Sequence, residues 1–462
     1  MGLFDFIKGL FGGSAQVQSG PTHADVNPAH DQAGRDQTET SYAESIHADA
    51  GEAVPHEHSS PQNSSSNKVF RERKASKNIV LRKFSYRPST VATPQEQEIV
   101  RHRPYKFAVP GPHTGEFLDL SQDADERWLE YYGLPTLATP DDLADWFGIS
   151  IGKLAWLTHR MRDGNRPKDV KDAHYHFQWK KKRSGSWRLI EAPKEELKGV
   201  QTKILREILD LVPAHPAAHG FVPGRSILSN AVPHVGSKFL LKLDLENFYP
   251  TVRYSRVVAI FRSLGFSREV SIWLARLTVS APPWSLDAPK KNWEFWQLMP
   301  PHLPQGAPTS PALANLSAFA LDVRLSGMAK AYNLKYTRYA DDLTFSGPGL
   351  SIPALNEFIP LTSKIIAAER FFVNKKKRKI IRNSQRQCVT GVVVNEKINV
   401  SRQDYDQLKA ILHNCVKTGP QQQNRNQHPD FASHLRGRIA HMMQLNPSRG
   451  AKLLEIYQKI RW

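Results

Sequence analysis

The chain has 462 residues, 40% of them hydrophobic, with a formal net charge of +19 and a pI near 9.8. That is enough apolar material for two or three domains, yet no run of about 18 apolar residues occurs, which excludes a membrane-spanning helix. Two cysteines, Cys388 and Cys415, exclude a disulfide framework or a cysteine-built zinc site and fit a reducing cytoplasm; the basic balance asks for a polyanionic partner, most often nucleic acid, because each phosphate contact releases a counterion.

The charge is unevenly spread. Residues 1–67 hold nine acidic side chains against Lys8 and Arg35, a local −7, so the rest of the chain carries +26. Residues 13–67, rich in Ser, Gln, His and acids with no apolar period, read as a disordered tail. Ahead of them Leu3, Phe4, Phe6, Ile7, Leu10 and Phe11 form a short amphipathic patch, read as an inert start, with a lipid or partner groove as the alternative. The opening lacks the basic start of a signal peptide and the Ser/Thr at position 6 of a myristoylation site. Residues 68–114 are a basic, Pro-containing linker, either a solvated tether or an arm along phosphates.

Residues 115–170 read as a helical N-terminal region. Within 139–161, Thr139 and Asp141 suit an N-cap, Gly148 a helix stop, and Leu143, Trp146, Leu154 and Leu157 an apolar face. The resulting helix pair is read as ordinary packing, with DNA reading as the alternative. From His174 to Val400 short β-rich runs alternate with helices. HYHFQWKKK and WRLIEA are strand-like, ELKGVQTKILREILDLV is an amphipathic helix, KFLLKLDL is a buried strand, and TRYADDLTFSG and CVTGVVVNEKINV are hairpins. Residues 402–462 read as helices interrupted at Gly419–Pro429 and Asn446–Pro447.

Two features carry chemistry. In Tyr339–Asp342 (YADD), two acids sit between β-forming flanks, which places them at a hairpin turn. Adjacent carboxylates repel unless a cation lies between them, although Asp-Asp is also a plain turn signal. In LLKLDLENFYPTV, an apolar strand delivers Asp244 at its end, facing a cleft or capping the next helix. A strand-end Asp and a hairpin Asp pair together suit two Mg²⁺ ions for in-line nucleotidyl transfer, because magnesium demands oxygen ligands.

With those residues in place, the sequence resembles reverse transcriptases, in order over residues 170–462. WRLIEAPKEELK and AAHGFVPGRSI look like the first two motif blocks. Asp244 matches the first metal-binding aspartate, LPQGAPTSPALANL the template and nucleotide block, and YADD the family box; FFVNKKKRKI and VTGVVVN match later palm blocks. Asn230 to His234 (NAVPH) and VTG at 389–391 narrow the resemblance to retron reverse transcriptases, as does a thumb-like end.

That resemblance implies an α+β right-hand polymerase, with fingers and palm (171–400) around a small antiparallel sheet and a helical thumb (401–462). Asp244, Asp341 and Asp342 are then catalytic acids holding two Mg²⁺, with dNTPs as substrates. Arg188, with Lys181, binds triphosphate; Tyr249 is the steric gate that selects deoxynucleotides; Gln305 and Gly306 lie under the nucleotide. Asn230, His234, Lys375, Lys376, Lys377, Arg378, Arg436 and Arg438 are implied RNA contacts. Asn230 and His234 taken alone read as turn and packing residues, Tyr249 as a core aromatic, Arg188 as a surface cation and the basic run as a solvated face. Retron enzymes copy part of a structured RNA from their own locus, starting on a 2′-OH. They leave a branched RNA–DNA hybrid implicated, with a separate effector protein, in anti-phage defence. No RNase H-like acidic set follows the thumb, which implies a host RNase H. The rivals are an abortive-infection or intron-type reverse transcriptase, and a catalytically silent RNA-binding protein on the same fold. The stretch from Phe261 to Pro301, with Trp284, Trp293 and Trp296, carries no assignment.

Overall fold

A computed structural model describes residues 98–462, apart from 113–114, 159–165, 183 and 290–292. The acidic tail, its amphipathic start and the first part of the basic linker lie outside the described residues.

The remainder of the expected linker is folded. Strands β1 (Glu98–Val100), β2 (Val109–Pro110) and β3 (Phe117–Asp119) form an antiparallel sheet in the order β1-β3-β2. Tyr105, 6% exposed, anchors it: its hydroxyl donates to Glu269 at 3.2 Å. An apolar anchor inside a basic segment is what the charge pattern concealed.

Three short helices follow: α1 (Glu126–Tyr132), α2 (Pro140–Phe147) and α3 (Ile151–Leu157). Thr139 caps α2 in a capping box whose acid is Asp142 rather than Asp141, accepting from the Thr139 amide at 2.9 Å. Gly148 ends α2 at φ 70°. Leu143, Leu154 and Leu157 are buried in the main core.

Next, β4 (Tyr175–Lys181) and β5 (Trp187–Pro193) make a long hairpin, then come α4 (Glu195–Glu207) and α5 (Ile227–Ala231). The apolar strand β6 (Phe239–Asp244) leads to α6 (Phe248–Thr251), α7 (Tyr254–Ser263), α8 (Arg268–Thr278), α9 (Trp293–Trp296), α10 (Ser310–Ser317) and α11 (Phe319–Ala331). The unassigned stretch therefore begins as core. Trp273 on α8 is fully buried, its indole bonded to Glu269 at 2.7 Å. The chain beyond runs over the hairpin, where the Trp179 indole donates to Asp287 O at 2.8 Å, and Trp284 and Trp296 stay exposed.

Strands β7 (Lys335–Tyr339) and β8 (Asp342–Gly347), helix α12 (Ile352–Ala368) and strand β9 (Lys379–Arg382) complete the central sheet, antiparallel in the order β7-β8-β6-β9. Strand β6 lies inside this sheet, with both faces covered, which is why it reads as a near-continuous apolar run. Its alternation divides two cores: Leu241 and Leu243 join the main cluster, and Leu240 the second. The hairpin β10 (Cys388–Val389) and β11 (Val392–Val393) and helices α13 (Arg402–Thr418), α14 (Phe431–Leu445) and α15 (Pro447–Gln458) build that second core around Leu408, Leu412, Leu435, Ile439 and Leu453.

Candidate active site

Asp244 ends β6 and Asp342 opens β8, and the antiparallel register pairs them directly. Opposed residues of such a pair share one face about 5 Å apart. Asp341 occupies the β7–β8 turn beside them, after Ala340, whose φ of 53° is left-handed. Backbone bonds lock this arrangement: Leu245 N donates to Asp341 O at 2.8 Å, and Asn374 N to Asp244 O at 2.8 Å.

The electrostatics follow from that crowding. Burial, and then the charges of Asp342 and Asp244, push the Asp341 carboxyl up to about 6. Asp342 is raised too, by burial foremost. Two cations oppose: Lys377 Nζ lies 2.8 Å from Asp244 Oδ2, and Lys242, two residues before Asp244 on β6, draws the Asp342 carboxyl down. As the side chains stand, no three acids, histidines or cysteines among the described residues close on one point as ready metal ligands. The donor chemistry nevertheless fits a hard divalent cation: oxygen donors only, on neighbouring backbone positions, with Asp341 and Asp342 still pushed up despite the nearby lysines.

Other expected residues surround this turn. Tyr249 on α6 is half-buried. Its hydroxyl is held well above the usual range by burial and by Asp341, while Arg338 and Arg188 oppose. The exposed Arg188 of β5 therefore shares a field with Asp341 and Tyr249. Lys181 is exposed at the end of β4, opposite Trp187. Gln305 O accepts from Glu191 N at 3.0 Å, and a Cβ on Gly306 (φ 143°) would lie 3.0 Å from Glu191 O. The side-chain-free approach at Gly306 is thus toward β5. Beside it the buried His302 and Glu191 meet at 3.0 Å, stitching hairpin to loop.

Asn230 and His234 are corrected as direct RNA contacts: they are 1% and 0% exposed. The His234 ring bonds to Ser346 Oγ and Thr337 Oγ1, each at 2.7 Å, and so clamps β8 to β7 from behind. Asn230 Nδ2 donates to Thr390 Oγ1 at 3.3 Å, joining the NAVPH and VTG elements to each other. Both are packing residues that no surface reaches, as their polar types taken alone allowed. Lys375, Lys376 and Arg378 are exposed, whereas the Lys377 amine turns to Asp244. Arg436 on α14 is exposed; Arg438 is half-buried, and burial lowers its pKa. Sequence reasoning passed over Arg338, fully buried one residue before the YADD box. Its only signal was a charge in an otherwise β-forming, core-bound strand.

The sequence profile of the family described as Reverse transcriptase (RNA-dependent DNA polymerase) matches residues 179–413. The chain is 39% identical over 331 residues to the retron Mx65 reverse transcriptase of Myxococcus xanthus, covering 71% of this chain and 73% of that one. It is 36% identical to the retron Mx162 reverse transcriptase of the same organism, with coverages of 70% and 67%. It is 31% identical to the retron Ec86 reverse transcriptase of Escherichia coli, with coverages of 72% and 92%.

Proposed function

This chain belongs to the retron-type reverse transcriptases, which are RNA-directed DNA polymerases, and from that premise we propose that it copies part of a cognate structured non-coding RNA, starting on a 2′-OH of that RNA. The product is a branched RNA–DNA hybrid that acts with a separate effector protein in anti-phage defence, after host RNase H has trimmed the template. The pairing of Asp244 with Asp342 across the sheet, with Asp341 in the adjoining turn, carries the reading.

Asp244, Asp341 and Asp342 would hold two Mg²⁺ ions, whose charge lowers the pKa of the primer hydroxyl and offsets the triphosphate. The protein's own groups do the rest. Arg188 grips phosphate oxygens through its planar fork, with Lys181 beside it. The Tyr249 ring, next to Asp341, closes the space a ribose 2′-OH needs and so selects dNTPs. The loop at Gln305 and Gly306, pinned to β5, supports the incoming nucleotide against Arg188. Lys375, Lys376 and Arg378 follow the phosphates of the growing duplex, with Lys377 beside them held at Asp244 until nucleic acid draws it away, and Arg436 and Arg438 follow those of the RNA in its shallow groove.

The test is synthesis from the locus RNA with dNTPs and Mg²⁺, comparing wild type with Asp341→Ala plus Asp342→Ala. We expect labelled DNA joined to RNA from wild type alone, released by an enzyme that cleaves 2′–5′ branches. Equal product from both proteins sinks the polymerase reading. DNA that extends only an added primer, with no branch, sinks the priming part alone.

A further inference from the structure

The turn that carries Asp341 is gripped by side chains that belong neither to the acids nor to the nucleotide set. Arg338 is fully buried, where a guanidinium is rarely found. Its Nε and Nη2 donate to the two oxygens of Asp322 on α11, at 2.8 and 2.6 Å. Its Nη1 donates to Asn315 Oδ1 on α10 at 2.9 Å and to the carbonyl of Ala340 at 3.1 Å. Asp322, also fully buried, accepts from the Tyr336 hydroxyl at 2.8 Å.

The chain of contacts continues to the far side of the turn. Asn315 Nδ2 donates to Gly220 O at 2.9 Å. Segment 217–220 is tied to β7 by His219 N→Arg338 O and Arg338 N→Ala217 O, both 2.7 Å. A Cβ on Gly220 would sit 2.7 Å from Ala340 N and 3.1 Å from Tyr339 Cδ1. Ala340 is therefore enclosed between a guanidinium on its carbonyl and a glycine against its amide.

A buried ion pair gives little net stability over apolar side chains of the same volume, because desolvation offsets the Coulomb gain. What the guanidinium adds is direction: its rigid fork aims one N–H at the carbonyl of a residue in a conformation that costs about 1–2 kcal/mol for an L-amino acid. We propose that Arg338 is a positioning residue. Oriented by Asp322 and Asn315, it fixes the left-handed Ala340 peptide, and through that peptide the direction of the Asp341 carboxylate, with Gly220 as the backstop. This rests on reading Asp341 as one of the reacting-site acids.

The discriminating protein is the double variant Arg338→Met plus Asp322→Asn, which removes both charges while Asn keeps an acceptor for Tyr336. It is compared with wild type in primer extension on an RNA template and in thermal melting. Positioning predicts a near-wild-type melting temperature with kcat reduced about 100-fold, as misplacing a reacting group by an ångström does, and KM for dNTP within about threefold. If the variant melts near wild type and keeps a wild-type kcat, the pair does not position the turn and the proposal is overturned. A second variant, Gly220→Ala, leaves Arg338 and Asp322 intact and presses on Ala340 from outside. It should show the same kcat-against-KM split, and a wild-type kcat in it also overturns the proposal. Wild-type extension in the same assay keeps these failures distinct: a wild type that extends nothing fails the polymerase reading itself.

Discussion

His234 shows how a residue's surroundings decide its chemistry. Both ring nitrogens face hydroxyls, of Ser346 and Thr337, in a site with no exposure. Burial pushes its pKa down to about 3, with Lys335, His219 and Lys242 adding repulsion. The folded ring stays neutral where the unfolded one, near 6.5, begins to take a proton. The associated stability is therefore intact above about pH 6.5 and is lost as pH falls toward 3, amounting to about 2 kcal/mol by pH 5. His234→Gln keeps a donor and an acceptor without the titration. Scanning calorimetry between pH 7 and 5 should give a flatter melting curve for it, though not a level one, since His219 is also pushed down, to about 4. A slope equal to wild type would place the proton elsewhere. At Tyr249 the ring's bulk is the property at stake: with Tyr249→Ala, ribonucleotide incorporation relative to deoxyribonucleotide should rise at least about tenfold, the scale of discrimination by a filled pocket. Unchanged sugar preference would return Tyr249 to the core.

Among elements, strand β6 was the most legible in sequence, because a short apolar run ending in an acid has few places to go in a sheet. The YADD turn was legible for the related reason that β-formers flank two residues that dislike strands. Less legible was everything decided by a distant partner. Asn230 and His234 taken alone read as turn and packing residues, but what they pack against stays hidden until Thr390, Thr337 and Ser346 arrive from later in the chain. Strands β1 and β2 are too short to print a pattern. Arg338 needs Asp322, 16 residues earlier, before its burial makes sense. The alternation along β6 yields a paired prediction. Leu240 and Leu241 are both fully buried, in different clusters. Each change to Ala should cost about 2–5 kcal/mol. Hydrogen exchange should separate them: Leu240→Ala weakens protection in α13, α14 and α15 first, and Leu241→Ala in α11 and α12. Identical exchange maps would mean the two clusters unfold as one unit.

For the whole molecule, charge is the organising fact. The chain carries +19 overall while its first 67 residues are acidic, so the cationic surface is concentrated after them. Affinity for RNA should fall steeply with salt. Exchanging exposed Lys375, Lys376 and Arg378 for Ala should lower the slope of log affinity against log salt by about 2, at roughly 0.7–0.9 for each lost phosphate contact. A slope that does not move would take the 375–378 segment off the nucleic acid. Lys377 differs from these three, because its amine already faces Asp244 at 2.8 Å. The first of the three acids thus comes with a tethered counter-ion of its own. We expect the folded protein to depend little on its metal supply, because its two cores are apolar and hold none of the three acids. A preparation stripped by chelator should melt within a few degrees of an untreated one and resume synthesis when magnesium is returned, unlike small zinc domains that collapse when stripped.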